Sequence, residues 1–98
     1  TEDDEDEFVE REDGTFLVGG QYSFYDFLSH FDLEELYQDN DFNTLGGLIL
    51  EQTGTIPKVG EKIMWDRFIF EIVDLDSTRI DKTLVCIDPE KLSKNDED

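Results

Sequence analysis

Basic side chains are scarce in this chain, with eight Lys and Arg against 27 Asp and Glu and a formal net charge of −19. Nucleic acids and anionic membranes bind clustered Lys and Arg, and the few bases here are scattered from Arg11 to Lys94. The balance therefore excludes nucleic acid as a partner. One cysteine, Cys86, leaves no internal disulfide to form; its place in the apolar run "LVCI" fits a reducing compartment and an inert, buried thiol. One histidine, His30, sits beside Phe31 at an expected helix end, and no Ser-His-Asp, Cys-His or multi-His constellation can be assembled around it. No apolar run approaches the roughly 18 residues of a membrane span and no signal peptide is visible, so no direct membrane insertion is expected of this fragment.

What is present suffices for one small core. The chain has 98 residues, 37% of them hydrophobic, with eight Phe. The charge is uneven. Residues 1–7 carry six acids and no base, residues 88–98 net −3, and residues 8–87 hold 16 acids and 6 bases, about −10. The expected organisation is therefore a folded domain over 8–87 between disordered acidic tails at 1–7 and 88–98, where like charges repel and nothing apolar is available to bury. The chain opens without Met in the middle of an acidic tract, which suggests a piece of a longer protein.

Local patterns predict the elements in order. In "FVEREDGTFLV" at 8–18, Asp13-Gly14 between two β-prone runs signals a hairpin. "SFYDFLSHF" at 23–31 begins with Ser23 and Asp26 at capping spacing, then spaces Phe24, Phe27, Leu28 and Phe31 as one helix face. Residues 32–43 read as an acidic loop with room for one helical turn. A second helix starts at Asn43 or Thr44, carries Leu45, Leu48 and Ile49 as its stripe, and ends at Gly54. Three strands follow at 62–65, 67–75 and 79–87, with Asp66 and "DST" at 76–78 as tight connections; Phe68, Phe70 and Ile72 share a face. The fold class is α+β: a leading β-hairpin, two short helices, then a three-stranded antiparallel meander.

Chemistry is thinly represented. With 27 acids, a carboxylate pair for proton transfer carries no information, and no catalytic residue is assigned. In "ELYQDND", Glu35, Asp39 and Asp41, with Asn40, are hard oxygen donors suited to Mg²⁺ or Ca²⁺, but the EF-hand spacing is missing. A solvated acidic loop is the simpler reading, with weak divalent binding as the alternative. Gly46-Gly47, in the first turn of the second helix, costs roughly 1 kcal/mol per glycine against alanine. Close helix–sheet packing, a hinge and a phosphate cradle are the three explanations; no P-loop or dinucleotide fingerprint supports the last.

"DGTFLVGG" at 13–20, "NTLGGLILEQTGTIPKVGE" at 43–61 and "FIFEIVDLDSTRIDK" at 68–82, in this order and spacing, resemble the CorC/HlyC transporter-associated domain across about residues 8–87. Departures occur at Gln52 and Thr53, where that family is usually apolar, and at Asp66 and Ser77-Thr78, where it usually has glycine-bearing turns. The resemblance implies a C-terminal domain that follows CBS domains, often behind a membrane-spanning domain, in hemolysin-like or magnesium-cobalt efflux proteins. It implies a non-catalytic accessory or regulatory module for ion transport, on the cytoplasmic side of a membrane protein, with a soluble cytoplasmic protein as the alternative. Its partners would be the CBS and membrane domains of the same protein, with self-association left open. A small-ligand or divalent-ion sensor is the competing function. The fold resembles half of a flavin-binding domain, but no flavin fingerprint occurs, and no cofactor is expected.

Overall fold

The computed structural model describes residues 7–40 and 42–88, apart from the side chain of Asp39. Strands β1 (Phe8–Glu10) and β2 (Phe16–Gly19) form the expected hairpin. Its turn is held by the Asp13 carboxylate, which accepts from the Thr15 amide (3.0 Å) and the Thr15 hydroxyl (2.6 Å). Those two bonds, led by the hydroxyl, hold the Asp13 carboxyl below its usual range. Helix α1 (Phe24–Ser29) starts where the Ser23 hydroxyl accepts from the Asp26 amide, as the capping spacing requires. A six-residue 3-10 helix, Glu34–Asp39, fills the acidic segment, which is more ordered than the single turn expected.

Helix α2 (Leu45–Thr53) is capped by Thr44, whose hydroxyl accepts from the Gly47 amide, and it stops at Gly54 with φ 76°. Its last turn is open to solvent at Glu51 and Gln52, in line with the polar residues there. Strands β3 (Lys62–Trp65), β4 (Phe68–Asp76) and β5 (Arg79–Ile87) make the meander, β4 one residue later than expected at each end. Asp66 and Ser77, at the two tight connections, have φ of 54° and 61° and so take backbone positions that glycine fills without strain.

All five strands join in one antiparallel sheet of order β1-β2-β5-β4-β3. The pairing of β2 with β5, Val18 opposite Thr83, ties the leading hairpin to the meander. Both helices lie over one face, where Phe24, Phe27, Leu28, Leu45, Leu48 and Ile49 meet Val18, Phe68, Phe70, Ile72, Ile80 and Val85. The one fully buried polar side chain among the described residues, Thr83, donates its hydroxyl to the Val18 carbonyl at 3.2 Å. Glu7 and Asp88, at the inner ends of the expected tails, are tied down: the Glu7 carbonyl accepts from the Gly19 amide, and the Asp88 amide donates to the Arg67 carbonyl, both at 2.8 Å. The rest of both tails lies outside the described residues.

Candidate functional site

Strand alternation divides the sheet into two unlike faces. The face under the helices takes Val18, Thr83, Ile72, Phe70 and Val85. On the other face, register aligns Val9, Leu17, Leu84, Glu71 and Lys62 in one row, and Met64, Ile69 and Cys86 in the next. Leu17, Ile69, Leu84 and Cys86 are half-buried, while Val9 and Met64 are exposed at 40% and 63%. None of these six belongs to the core cluster or packs against it. The result is a continuous apolar surface with no element above it among the described residues. Cys86 thereby differs from expectation. The run "LVCI" reads as uniformly buried, but helices cover this antiparallel sheet on one side, so Val85 goes inward and Cys86 outward.

The two glycines of α2 turn out to be unlike. The Gly46 amide donates to the Gly20 carbonyl at 2.8 Å, and a Cβ on Gly46 would stand 2.8 Å from that same oxygen. A Cβ on Gly20 would in turn lie 1.8 Å from the Ile80 carbonyl oxygen. Gly46 and Gly20 therefore let α2, the β2 exit and β5 stack backbone on backbone. Gly47 has room, its nearest neighbour to a Cβ being the Thr44 hydroxyl at 3.4 Å. Packing explains Gly46 and leaves Gly47 without that reason. The phosphate reading fails on hydrogen bonds: the amides of Leu45, Gly46 and Gly47 already donate to Tyr22, Gly20 and Thr44.

His30 ends α1 on the surface. Its ring stacks on Phe8 with centroids 3.8 Å apart and planes 7° apart, and its Nε2 lies 3.1 Å from the Tyr22 hydroxyl. Partial burial, and secondarily the Asp26 charge, push the Tyr22 phenol upward. Beside His30 opens a cavity of about 530 Å³ lined by Phe8, Glu10, Phe16, His30, Phe31 and Ile87. A smaller one of about 270 Å³, lined by Tyr22, Asp26, Ser29 and His30, shares the imidazole as a wall. Composition and spacing gave no sign of the larger cavity, since its lining comes from four separate segments.

The acidic segment shows no assembled metal site among the described residues, where no three His, Cys, Asp or Glu side chains converge. Glu35 is exposed on the 3-10 helix, and the neighbouring Glu34 accepts from the Ser29 hydroxyl at 3.1 Å. Asn40 turns its side-chain amide back to the Leu36 carbonyl. Asp41 and the Asp39 side chain lie outside the described residues.

A five-stranded antiparallel sheet with two helices on one face, and an apolar face that no described element covers, defines a small α+β domain. The chain belongs to the CorC_HlyC family, the transporter associated domain, whose model matches residues 9–88. A UPF0053 protein of Synechocystis is 38% identical over 96 residues, 96% of this chain and 21% of that protein. The polyamine export protein of Salmonella typhimurium is 32% identical over 81 residues, 83% of this chain and 18% of that protein. The chain thus spans about a fifth of the length of these curated relatives. Among solved structures, the CorC_HlyC domain of a Xylella fastidiosa hemolysin, in complex with Mg²⁺ and Mn²⁺, is 39% identical with a TM-score of 0.70, covering 82% of this chain and 95% of that one. The transporter associated domain of a CBS domain protein from Porphyromonas gingivalis is 29% identical with a TM-score of 0.72, covering 82% and 95%.

Proposed function

We propose that this domain is a non-catalytic accessory module of a cation exporter, and that it regulates transport by docking its open sheet face on other domains of its own polypeptide. The observation that carries the reading is the apolar surface of Leu17, Ile69, Leu84, Cys86, Val9 and Met64 outside the core. The occupant is the remainder of the same protein, because the relatives have about four-fifths of their length elsewhere. A second copy fits less well, since pairing would bring two chains of charge −19 together. On this reading the neighbours are CBS domains, as in the CBS domain protein among the structural relatives, and a membrane-spanning domain, and the module lies on the cytoplasmic side. The cargo is a cation, as the polyamine exporter among the relatives suggests. Docking that differs between two transporter states shifts their equilibrium by the difference in contact energy.

The test replaces Ile69 and Leu84 by Glu in the full-length protein and measures export together with the melting temperature of the isolated domain. Altered export with an intact domain supports docking. Unchanged export in a stably folded double variant refutes it.

A second reading takes the domain as a divalent-ion sensor through Glu35, Asp39 and Asp41, and the Mg²⁺ and Mn²⁺ bound in the Xylella structure favour it. Diffuse screening by an acidic segment acts alike with Mg²⁺, Ca²⁺ or enough NaCl. Saturable, ion-selective binding abolished by Asp39→Ala or Asp41→Ala would establish the sensor instead.

A further inference from the structure

Glu10 occupies an unusual position. It pairs with Phe16 across the hairpin, so it shares the helix-side face of the sheet with Phe8 and Phe16 rather than the opposite face with Val9. Its carboxylate makes no hydrogen bond or ion pair among the described residues. The neighbouring cation, Arg11, acts on Asp13 in the turn. An acid with no counter-charge among the described residues thus lines a cavity whose other walls are Phe8, Phe16, Phe31, Ile87 and the imidazole of His30. The three phenyl rings are mutual neighbours, with centroids 5.1 to 6.3 Å apart.

We propose that this cavity is a binding site for an organic ammonium ion, a short alkylamine whose hydrocarbon part lies against the phenyl rings and whose charged nitrogen meets Glu10. Three features select that chemistry. Aromatic faces attract a cation within about 6 Å of the ring centre and also shed water from a hydrocarbon chain, which a hydrated metal ion cannot exploit. The carboxylate supplies an acceptor for an N⁺–H donor. A folded region of net charge about −10 raises the local concentration of cations and repels carboxylate and phosphate ligands. The cavity, at about 530 Å³, lies within the usual range for small-molecule sites.

The second, polar cavity beyond His30 adds selectivity. It is lined by Asp26, Ser29 and Tyr22 and shares the imidazole of His30 with the larger cavity; the Ser29 and Tyr22 hydroxyls are engaged with Glu34 and His30, which leaves the Asp26 carboxylate as its charged group. A diamine that meets Glu10 with one ammonium and the Asp26 carboxylate with the other would bind more tightly than a monoamine of equal length. The site goes beyond the docking role, rests on the cavity lining and the charge of the folded region, and its test does not involve the open sheet face.

His30 is the single histidine, so its imidazole proton signals report on this cavity without assignment of other residues. The experiment titrates the chain with putrescine, butylamine, 1-butanol and MgCl₂ at constant ionic strength, following those signals by NMR. Putrescine is expected to give a saturable shift, butylamine a weaker one at the same signals, and 1-butanol and Mg²⁺ none. Glu10→Gln, an exposed substitution that leaves the fold intact, should weaken putrescine binding about fivefold, the scale of one partly exposed ion pair. Phe31→Leu, which stays apolar but removes a ring face, should weaken it as well. Equal shifts with 1-butanol would reduce the cavity to a greasy depression, and equal shifts with Mg²⁺ would reduce it to diffuse charge. Undiminished binding in Glu10→Gln, with self-association of that variant, would make Glu10 a guard of the β1 edge instead of a ligand group.

Discussion

The amide of Gly46 donates to the carbonyl of Gly20 across 2.8 Å, and a Cβ on the same glycine would find no room against that oxygen. This contact sets how deeply α2 settles on the β2–β5 seam. Gly46→Ala should therefore cost roughly 1–3 kcal/mol, because a backbone atom rather than a flexible side chain must move. Gly20→Ala, facing the Ile80 carbonyl at 1.8 Å, should cost more and prevent folding to a native sheet. Gly47→Ala should be neutral or stabilising by up to about 1 kcal/mol from helix propensity. Chemical denaturation of the three variants checks the order; equal losses at Gly46 and Gly47 would contradict it.

Much of the fold was legible because local chemistry repeats the global answer. Asp13-Gly14, the Ser23 and Thr44 caps, Gly54 and the alternation of Phe68, Phe70 and Ile72 each fix one element, and the structure places those elements within a residue or two. The β2–β5 pairing was not legible, since Val18 and Thr83 are far apart in sequence and no local signal marks their partnership. Gly46 and Gly47 look alike in sequence, and the distance to Gly20 separates them. The cavity beside His30 depends on β1, β2, α1 and the end of β5 converging, which no single segment encodes.

Ser77 holds φ at 61° in the β4–β5 turn, a left-handed backbone position that costs an ordinary residue roughly 1–2 kcal/mol. Ser77→Gly should relieve that strain and, after the added chain entropy of glycine in the unfolded state, stabilise by roughly 0.5 kcal/mol. Ser77→Val should destabilise by more than that, since a β-branched side chain tolerates this region worst. A rise in melting temperature for Val, or a fall for Gly, would show that the turn adopts another conformation in solution.

Thr83 is fully buried, and its hydroxyl donates to the Val18 carbonyl. Thr83→Val keeps the shape and removes the donor, so it should cost about 1 kcal/mol, or roughly 4–8 °C in a domain of this size. Thr83→Ala opens space at the strand joining hairpin to meander and should cost more. A Val variant as stable as the parent would mean that the hydroxyl contributes nothing net at this seam.

The Asp13 carboxylate ties the hairpin turn through the Thr15 hydroxyl and amide, and those bonds lower its pKa in the folded state. An acid with a depressed folded pKa adds stability above its unfolded value, near about 3.9, and that contribution is lost as pH falls through the folded value. The whole chain complicates a simple acid titration, because protonating many carboxylates also relieves the repulsion of a −19 charge. Comparison with Asp13→Ala removes this background, which both proteins share. The melting-temperature gap between parent and variant should be constant from pH 7 to about 5 and should close below about pH 4, where the parent loses its ionised acceptor as well. Because the carboxylate is fully open to solvent, the gap should be small and should shrink further in high salt. A gap that widens on acidification would mean that the protonated carboxyl holds the turn better than the carboxylate does, the opposite of what the two Thr15 bonds imply.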